Sequence, residues 1–419
     1  MRILCIYRHY WPDITPYARL LKAIAEHLVS EGHEVTIFTG QPGYNDVRQG
    51  KQPWREKLNG VDVIRVWLPP ERKRFVALRL LSFLWFLGRS LVYSIGHRRQ
   101  YDLAMYNVHP PILMGMTACL IRSLAGIPFI YHCQDIHPES SLVAGRIRSK
   151  VLYRLLRRID TAVCRGAIVN VVLSEDMRDT LMERQVPLER IEVLNNFSLD
   201  SYYDGSDDIP SPLDNPDGHF HVLFAGNLGE FQGLDAIVDA AHRLAEIQEI
   251  RFVFMGEGLA KRRLIAAAGD LVGRTVFFCD FQPVEVAFAA MRRANLGLIS
   301  LAPGVYRVAF PSKTMMYLSA GCPVLAILEP ESNLARTIQD EQLGYVAQDS
   351  SADSIASTIE AAWRERSCWT VVARDELQER AERIYGRESA MVRWTRLVSE
   401  IEMSQNQNQV KSPRDRVSA

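Results

Sequence analysis

Cysteine is scarce and scattered in this chain. Its seven cysteines (Cys5, Cys119, Cys133, Cys164, Cys279, Cys322 and Cys368) are an odd number, with no Cys-x-x-Cys pair among them. That pattern argues against a disulfide framework and a thiolate zinc site, and it fits a reducing cytosol. Net charge is also missing: 49 Lys and Arg are matched by 49 Asp and Glu. No overall field therefore recruits nucleic acid. No window reaches about 18 uninterrupted apolar residues, the length a spanning helix needs. The nearest approach, Phe75 to Tyr93, is interrupted by Arg79 and Arg89. No signal peptide is visible, because Met1 and Arg2 run straight into the short apolar stretch Ile3–Tyr7. Three signatures are absent as well: G-x-G-x-x-G, a P-loop ending in G-K-[ST], and an Asp-x-Asp metal motif after a strand. Their absence disfavours an NAD-dependent enzyme and an obligatory divalent cation.

What is present is an ordinary globular balance, 47% apolar against 23% charged, which excludes a largely disordered chain. At 419 residues the chain exceeds the size at which one core keeps growing, so two domains are expected. Strand signals at Ile3–Tyr7, Val35–Phe38, Val61–Trp67, Leu103–Tyr106, Phe129–His132 and Ala167–Leu173 alternate with helical stretches. The alternation predicts a parallel sheet covered on both faces over residues 1–203. Residues 204–218, DGSDDIPSPLDNPDG, have linker chemistry. The alternation then restarts over 219–374, with strands at His221–Ala225, Phe252–Met255, Val276–Phe278, Leu296–Ser300 and Val324–Ile327. A last helix is expected over about 375–403, followed by a polar tail, 404–419. The fold class is therefore α/β, with two doubly wound Rossmann-like domains facing across a cleft. Such sheets bind ligands at the carboxyl ends of their strands.

Three loops are suited to a phosphate. Gly226-Asn227-Leu228-Gly229 and Gln232-Gly233 lie between a strand and a helix, where glycines permit close backbone approach and a helix N-terminus attracts an anion. Gly256-Glu257-Gly258 follows the next strand. Pro311-Ser312-Lys313 opens a late apolar helix ending at Gly321, with Ser312 as the expected N-cap. A cation in the first turn opposes the helix dipole, so Lys313 is a poor local choice unless an anion is held there. The plain alternatives are tight βα turns and a solvated lysine.

The combination of Glu31-Gly32-His33-Glu34-Val35-Thr36, the Gly226–Gly233 loop, Met255–Gly258 and Pro311–Gly321 resembles the GT-B glycosyltransferases of family 4 over about residues 1–400. Gly-Asn-Leu-Gly followed by Gln232-Gly233-Leu234, with Pro-Ser-Lys later, is similar to the bacterial surface-polysaccharide subgroup of fucosamine-type and colanic-acid transferases. The resemblance implies retaining, metal-independent transfer from a nucleotide-diphosphate sugar held by the second domain. The fucosamine-type members of that subgroup make an N-acetylated amino-deoxyhexose one candidate donor sugar. The acceptor is expected on the first domain, an undecaprenyl-diphosphate-linked saccharide if the basic segment from Arg72 to Arg89 lies on a membrane, and the last helix is expected to cross back to that domain. No cofactor is implied beyond the donor itself.

Two departures stand out. Where the family usually has cations in its diphosphate loop, this chain has Asn227 and Gln232. Where it usually has a glutamate pair, this chain has Val308 and Met316, which puts the usual ribose contact in doubt. More phosphate charge is then left to Lys313 and to the N–H groups of Gly226, Leu228 and Gly229. By the same resemblance His132 is placed near the donor sugar, with Asp135 as a second catalytic candidate. Pro12, Thr15, His137 and Glu139 are expected on the acceptor side.

The zero net charge hides an asymmetry. From Arg65 to Arg99 there are eight Arg or Lys against one acid, Glu71. Arg72, Lys73, Arg74, Arg79 and Arg89 flank an aromatic-rich apolar stretch containing Trp85, as in a helix lying on an anionic leaflet. An ordinary helix covering the sheet accounts for the stretch equally well. The expected location is the cytoplasmic face of the cell membrane. Two other functions fit the same architecture: a nucleotide-sugar epimerase and a non-catalytic sugar-binding partner.

Overall fold

The computed structural model describes residues 1–13, 15–42, 51–69, 76–143, 145–199, 213, 218–229 and 232–411. Most of the expected linker, and with it Arg72, Lys73 and Arg74, lies outside these residues.

In the first domain, β1 (Arg2–Ile6), α1 (Pro16–Ser30), β2 (Glu34–Gly40), β3 (Arg55–Leu58), β4 (Val61–Val66) and α2 (Val76–Gly96) come first. There follow β5 (Leu103–Asn107), α3 (Leu113–Ala125), β6 (Phe129–His132), α4 (Glu139–Val143), α5 (Lys150–Gly166), β7 (Val169–Val172), α6 (Glu175–Glu183) and β8 (Ile191–Val193). The second domain contains β9 (Phe220–Ala225), α7 (Leu234–Arg243), β10 (Ile250–Met255), α8 (Lys261–Ala268), β11 (Val276–Cys279) and α9 (Val284–Arg293). It continues through β12 (Leu296–Ser300), α10 (Lys313–Ser319), β13 (Val324–Ile327), α11 (Asn333–Asp340), β14 (Gly344–Val346) and α12 (Ala352–Arg364). Two helices close the chain, α13 (Val371–Tyr385) and α14 (Arg387–Lys411).

The two sheets run β3-β4-β2-β1-β5-β6-β7-β8 and β11-β10-β9-β12-β13-β14. Every pairing is parallel except β3 with β4. That antiparallel edge hairpin turns at Asn59-Gly60, both at positive φ, the backbone an Asn-Gly hairpin turn requires. The winding reverses between β1 and β5 in the first sheet and between β9 and β12 in the second. Both crevices open at those switch points.

Local chemistry starts and stops the helices. Thr15 caps α1 by accepting from the Ala18 N–H at 3.3 Å, and Pro16 occupies the first turn, where its missing N–H costs nothing. The α1 stripe Leu20, Leu21, Ile24 and Leu28 is buried against β1 and β2. α2, α3, α5 and α6 bury their inner faces on the other side of this sheet.

The single helix expected over 375–403 is two helices, broken at Gly386. A Cβ there would lie 2.1 Å from the Glu382 carbonyl oxygen, so the chain turns where the side chain is absent. α13 buries Leu377, Ala381 and Tyr385 in the second domain. α14 buries Ala390, Met391, Trp394, Leu397, Val398 and Ile401 beside α1 in the first. It is also tied there by His27 to Thr395 at 2.7 Å, and it runs on through Lys411, into the stretch read as a polar tail.

Trp394 is 1% exposed and sits between α1 and the end of β6. Trp394→Ala should cost about 3–5 kcal/mol. Urea unfolding should show this as a lower midpoint for the first domain and little change in the second.

Candidate active site

The two domains meet at the carboxyl ends of their strands. The Ile136 N–H donates to the Val308 carbonyl at 2.7 Å, and Asp135 and Ala309 form an antiparallel bridge. Thr180 donates to the Arg307 carbonyl at 2.8 Å, and the Asn333 N–H donates to Asp176 at 2.9 Å. Beside these contacts lies a cavity of about 340 Å³. Asp135, His137, Ser140 and Arg146 form one wall; Gln232, Ser300 and the run Val308–Lys313 form the other.

Lys313 is the cation on the second-domain wall. Its Nζ lies 3.4 Å from the centre of the Phe224 ring, and its stem fills the notch over Gly226, where a Cβ would come within 2.6 Å of Cε. No carboxylate answers it among the described residues, and burial alone pulls its pKa down to about 7. Tyr317, one turn on, holds the helix in place: its hydroxyl donates to the Leu223 carbonyl at 2.8 Å and accepts from the Ala225 N–H at 2.8 Å. Gly297 makes room for that ring, since a Cβ there would lie 2.5 Å from it.

The backbone N–H groups expected to hold phosphate are occupied. Gly226 N–H donates to the Met255 carbonyl and Leu228 N–H to the Glu257 carbonyl, each at 2.8 Å. Gly229 N–H donates to the Gln232 side chain at 3.1 Å. Gly256 and Gly258 serve loop packing, because a Cβ at either would lie about 2 Å from the carbonyl of Gly226 or Leu228. The Glu257 side chain pairs with Lys261 at 2.7 Å. Gly233, at positive φ, starts α7, and no side chain caps that helix. Asn227 and Gln232 flank Gly229. Ser312 has helical backbone and makes no capping bond, contrary to its expected role. Met316 packs with the second-domain core, and Val308 inserts into the first-domain core.

On the first-domain wall, burial raises the Asp135 carboxyl to about 6. Burial and the neighbouring Arg184 and Arg146 hold His137 down at about 4, and its Nδ1 lies 2.8 Å from the Ser140 hydroxyl. Glu139 points elsewhere: Arg184, Arg157 and Tyr153 all bind its carboxylate. His132 does not line the cavity. It is 1% exposed, with ring nitrogens 3.0 Å from the Tyr17 hydroxyl and 2.9 Å from the Gln134 amide, and its ring packs on Trp394. Burial pushes its pKa down to about 3, so it stays neutral. Thr15 is occupied as a helix cap, and Pro12 follows a cis bond from Trp11 beyond β1.

Sequence reasoning missed a polar group at the switch point of the first sheet. His9 lies 2.9 Å from Asp13 beyond β1, and His109 follows β5. Burial, with His9, Arg8 and His137 nearby, lowers the His109 pKa to about 4. The available signal was position: each follows a parallel strand at its carboxyl end. Arg79, Trp85 and Arg89 are all exposed on α2, and Arg79 is near enough to His109 to help lower its pKa.

Two Rossmann-like domains that share a cleft, with a lone cation on one wall and an ionisable cluster on the other, define the GT-B class. The family profiles agree: residues 17–196 match a glycosyl transferase 4-like domain, and residues 219–365 match glycosyl transferases group 1. The chain belongs to the family 4 GT-B glycosyltransferases. It is 25% identical over 350 residues to WcaI of Escherichia coli K12, named for colanic acid biosynthesis, covering 80% of this chain and 85% of that protein. It is also 25% identical to the glycosyltransferase WbjE of Pseudomonas aeruginosa over 267 residues, 62% of this chain and 66% of that one. Among solved structures, sucrose-phosphate synthase of Thermosynechococcus elongatus superposes with a TM-score of 0.71 at 17% identity, over 96% of this chain and 99% of that one. HepE of Anabaena in complex with UDP gives 0.65 at 15% identity, over 96% and 100%.

An anion bound at Lys313 should raise its pKa, so binding should take up a proton above pH 7 and affinity should fall as pH rises. Calorimetry of nucleoside diphosphates at pH 8, in buffers of different ionisation enthalpy, should show uptake approaching one proton. Lys313→Met should abolish the uptake and weaken binding about 10- to 100-fold.

Proposed function

We propose that this glycosyltransferase moves a sugar from a nucleotide-diphosphate donor to a lipid-linked saccharide in bacterial surface-polysaccharide assembly. Transfer proceeds with retention of configuration and without an obligatory metal, at the cytosolic face of the membrane. The observation that carries the reading is Lys313, a buried cation without a carboxylate partner, facing an interdomain cavity opposite Asp135 and His137. The relatives named for colanic acid synthesis and the UDP seen in HepE support the pathway and the donor class. An N-acetylated amino-deoxyhexose is the sugar to test first.

In this mechanism the diphosphate leaves toward Lys313 and the N-terminus of α7, which stabilise the charge as it develops. Because a cation already faces the cavity, no metal is required there. The acceptor hydroxyl approaches the same face of the donor sugar beside the Asp135 carboxylate and neutral His137, and the leaving phosphate oxygen takes its proton. His132 acts as a positioning residue, fixing the end of β6 through Tyr17, Gln134 and Trp394.

A thermal-shift panel of nucleotide sugars should reveal the donor as a rise in Tm. With that donor, kcat/KM should be bell-shaped: it rises as Asp135 ionises near pH 6 and falls as free Lys313 loses its proton near pH 7. Asp135→Asn should remove the acidic limb. NMR should show the product anomer matching the donor, and EDTA should leave the rate unchanged. A panel in which no nucleotide sugar raises Tm would reject the reading. Inversion of configuration, or activity lost to EDTA and restored by Mg²⁺, would reject the mechanism.

A further inference from the structure

The outer layer of the first domain has a composition that the cleft does not explain. α2, α3 and α5 lie side by side on the sheet face opposite α1 and α14. Together they hold eight Arg or Lys and a single acid, Asp160. At the overall acid content of the chain, about six would be expected in helices of this length. Asp160 does not reach the surface, being 3% exposed and bound to Arg184 at 2.7 Å. The segment 140–149 that leads into α5 adds Arg146 and Arg148 and again no acid.

The opposite face shows no such bias, since α14 mixes Arg387, Arg393 and Arg396 with Glu388, Glu400 and Glu402. The neighbouring α6 is acidic, but its Asp176 and Glu183 are bound by the Asn333 N–H and by Arg307 of the second domain, and its Glu175 and Asp179 pair with its own Arg178.

Apolar side chains lie among these cations. Leu81 and Leu84 on α2, Leu120 and Leu124 on α3, and Leu152 and Leu155 on α5 are each 45–54% exposed. On α5 a groove of about 800 Å³ is lined by Arg154, Arg157, Arg158 and Arg165, and by Glu183 of α6, which Arg307 binds. Among the described residues Arg154 and Arg158 have no hydrogen-bond or ion-pair partner, so their charge is available to a ligand. α2, although Leu78–Gly96 is long and apolar enough to cross a membrane by composition, is held on the domain. Phe86 is fully buried on Phe38, and Ser82 accepts from Arg8 at 3.0 Å. It therefore lies along a surface rather than across one.

A cation-studded apolar face on which α2, α3 and α5 themselves expose no carboxylate is complementary to anionic headgroups over acyl chains. We propose that α2, α3 and α5 dock this protein on an anionic phospholipid leaflet. The 140–149 segment sets the cleft beside that leaflet, since Val143 and Arg146 also line the interdomain cavity. The proposal rests on the reading that the acceptor is lipid-borne, and it names the surface that brings the enzyme to it.

The test is flotation of the full chain with vesicles rich in phosphatidylglycerol or made of phosphatidylcholine alone. At low salt, recovery with the anionic vesicles should be at least about tenfold greater, and it should be lost at high salt. The double variant Arg154→Glu/Arg158→Glu should lose about tenfold of that recovery while its donor-induced Tm shift stays unchanged. Arg79→Glu/Arg89→Glu, tested in parallel, provides a second variant should the first fail to fold. Equal recovery on neutral vesicles, no recovery at all, or recovery indifferent to a folded variant would overturn the proposal. So would a dimer in sedimentation that the same substitutions dissociate, because a second copy would then cover the face. Transfer to a water-soluble acceptor without flotation would overturn docking and leave the catalytic reading intact. Flotation without transfer to any lipid-linked acceptor would do the reverse.

Discussion

Lys313 is buried against Phe224 and Gly226 with no carboxylate to answer its charge, and much of the second domain is arranged so that it can be. A buried cation that lacks a partner favours its neutral form. Tyr317 nevertheless pins the helix to β9 through two backbone bonds, and the ring fits only because residue 297 is glycine. Gly226 leaves the notch that the lysine stem fills. The loop from 226 to 229 uses its own N–H groups on the neighbouring strand end, on the next loop and on Gln232, so it is a rigid wall and not a nest for phosphate. Under the proposed function, an anion at this wall would therefore be held by one side chain and the uncapped end of α7.

The same economy governs the contact between domains. At the position where the family resemblance leads one to expect the first of two glutamates, Val308 is 4% exposed and packs in the first-domain core, while its carbonyl accepts from Ile136. A carboxylate at that position would be desolvated among apolar side chains. Val308 thus serves the interface, while the ribose contact that the resemblance implies falls on Met316, which packs with the second-domain core. α14 completes the junction from the other side: Trp394 seats beneath His132 and ties the end of β6 to the helix that leaves the second domain.

Much of this architecture was legible in the chain because parallel strands buried on both faces are short apolar runs, and their helices carry plain 3.6-residue stripes. β3 was not read because Arg55–Leu58 is a polar edge strand without apolar alternation, although Asn59-Gly60 marked the hairpin. β8 and β14, at three residues each, fall below any periodic signal. The break at Gly386 was hidden because helical spacing continues through it. The site was less legible than the fold. His132, Asp135, His137 and Glu139 look alike along a strand-end loop, and only packing turns His132 under α14 and Glu139 toward Arg184. No spacing rule reports which N–H groups of a glycine loop are already bonded.

The balance of 49 against 49 charges is therefore the sum of three unequal surfaces. Cations concentrate on α2, α3 and α5, whereas two of the four acids of α6 are spent on the second domain and the other two on its own Arg178. The donor wall keeps one cation and surrounds it with apolar and neutral groups. Under the proposed mechanism low charge at this wall is an advantage, because a field from many lysines would hold the released diphosphate as firmly as the departing one. Because burial holds the free lysine at a pKa of about 7, an anion bound there above pH 7 must also recruit the proton that charges it, and under the proposed mechanism that cost limits how tightly the released diphosphate is held.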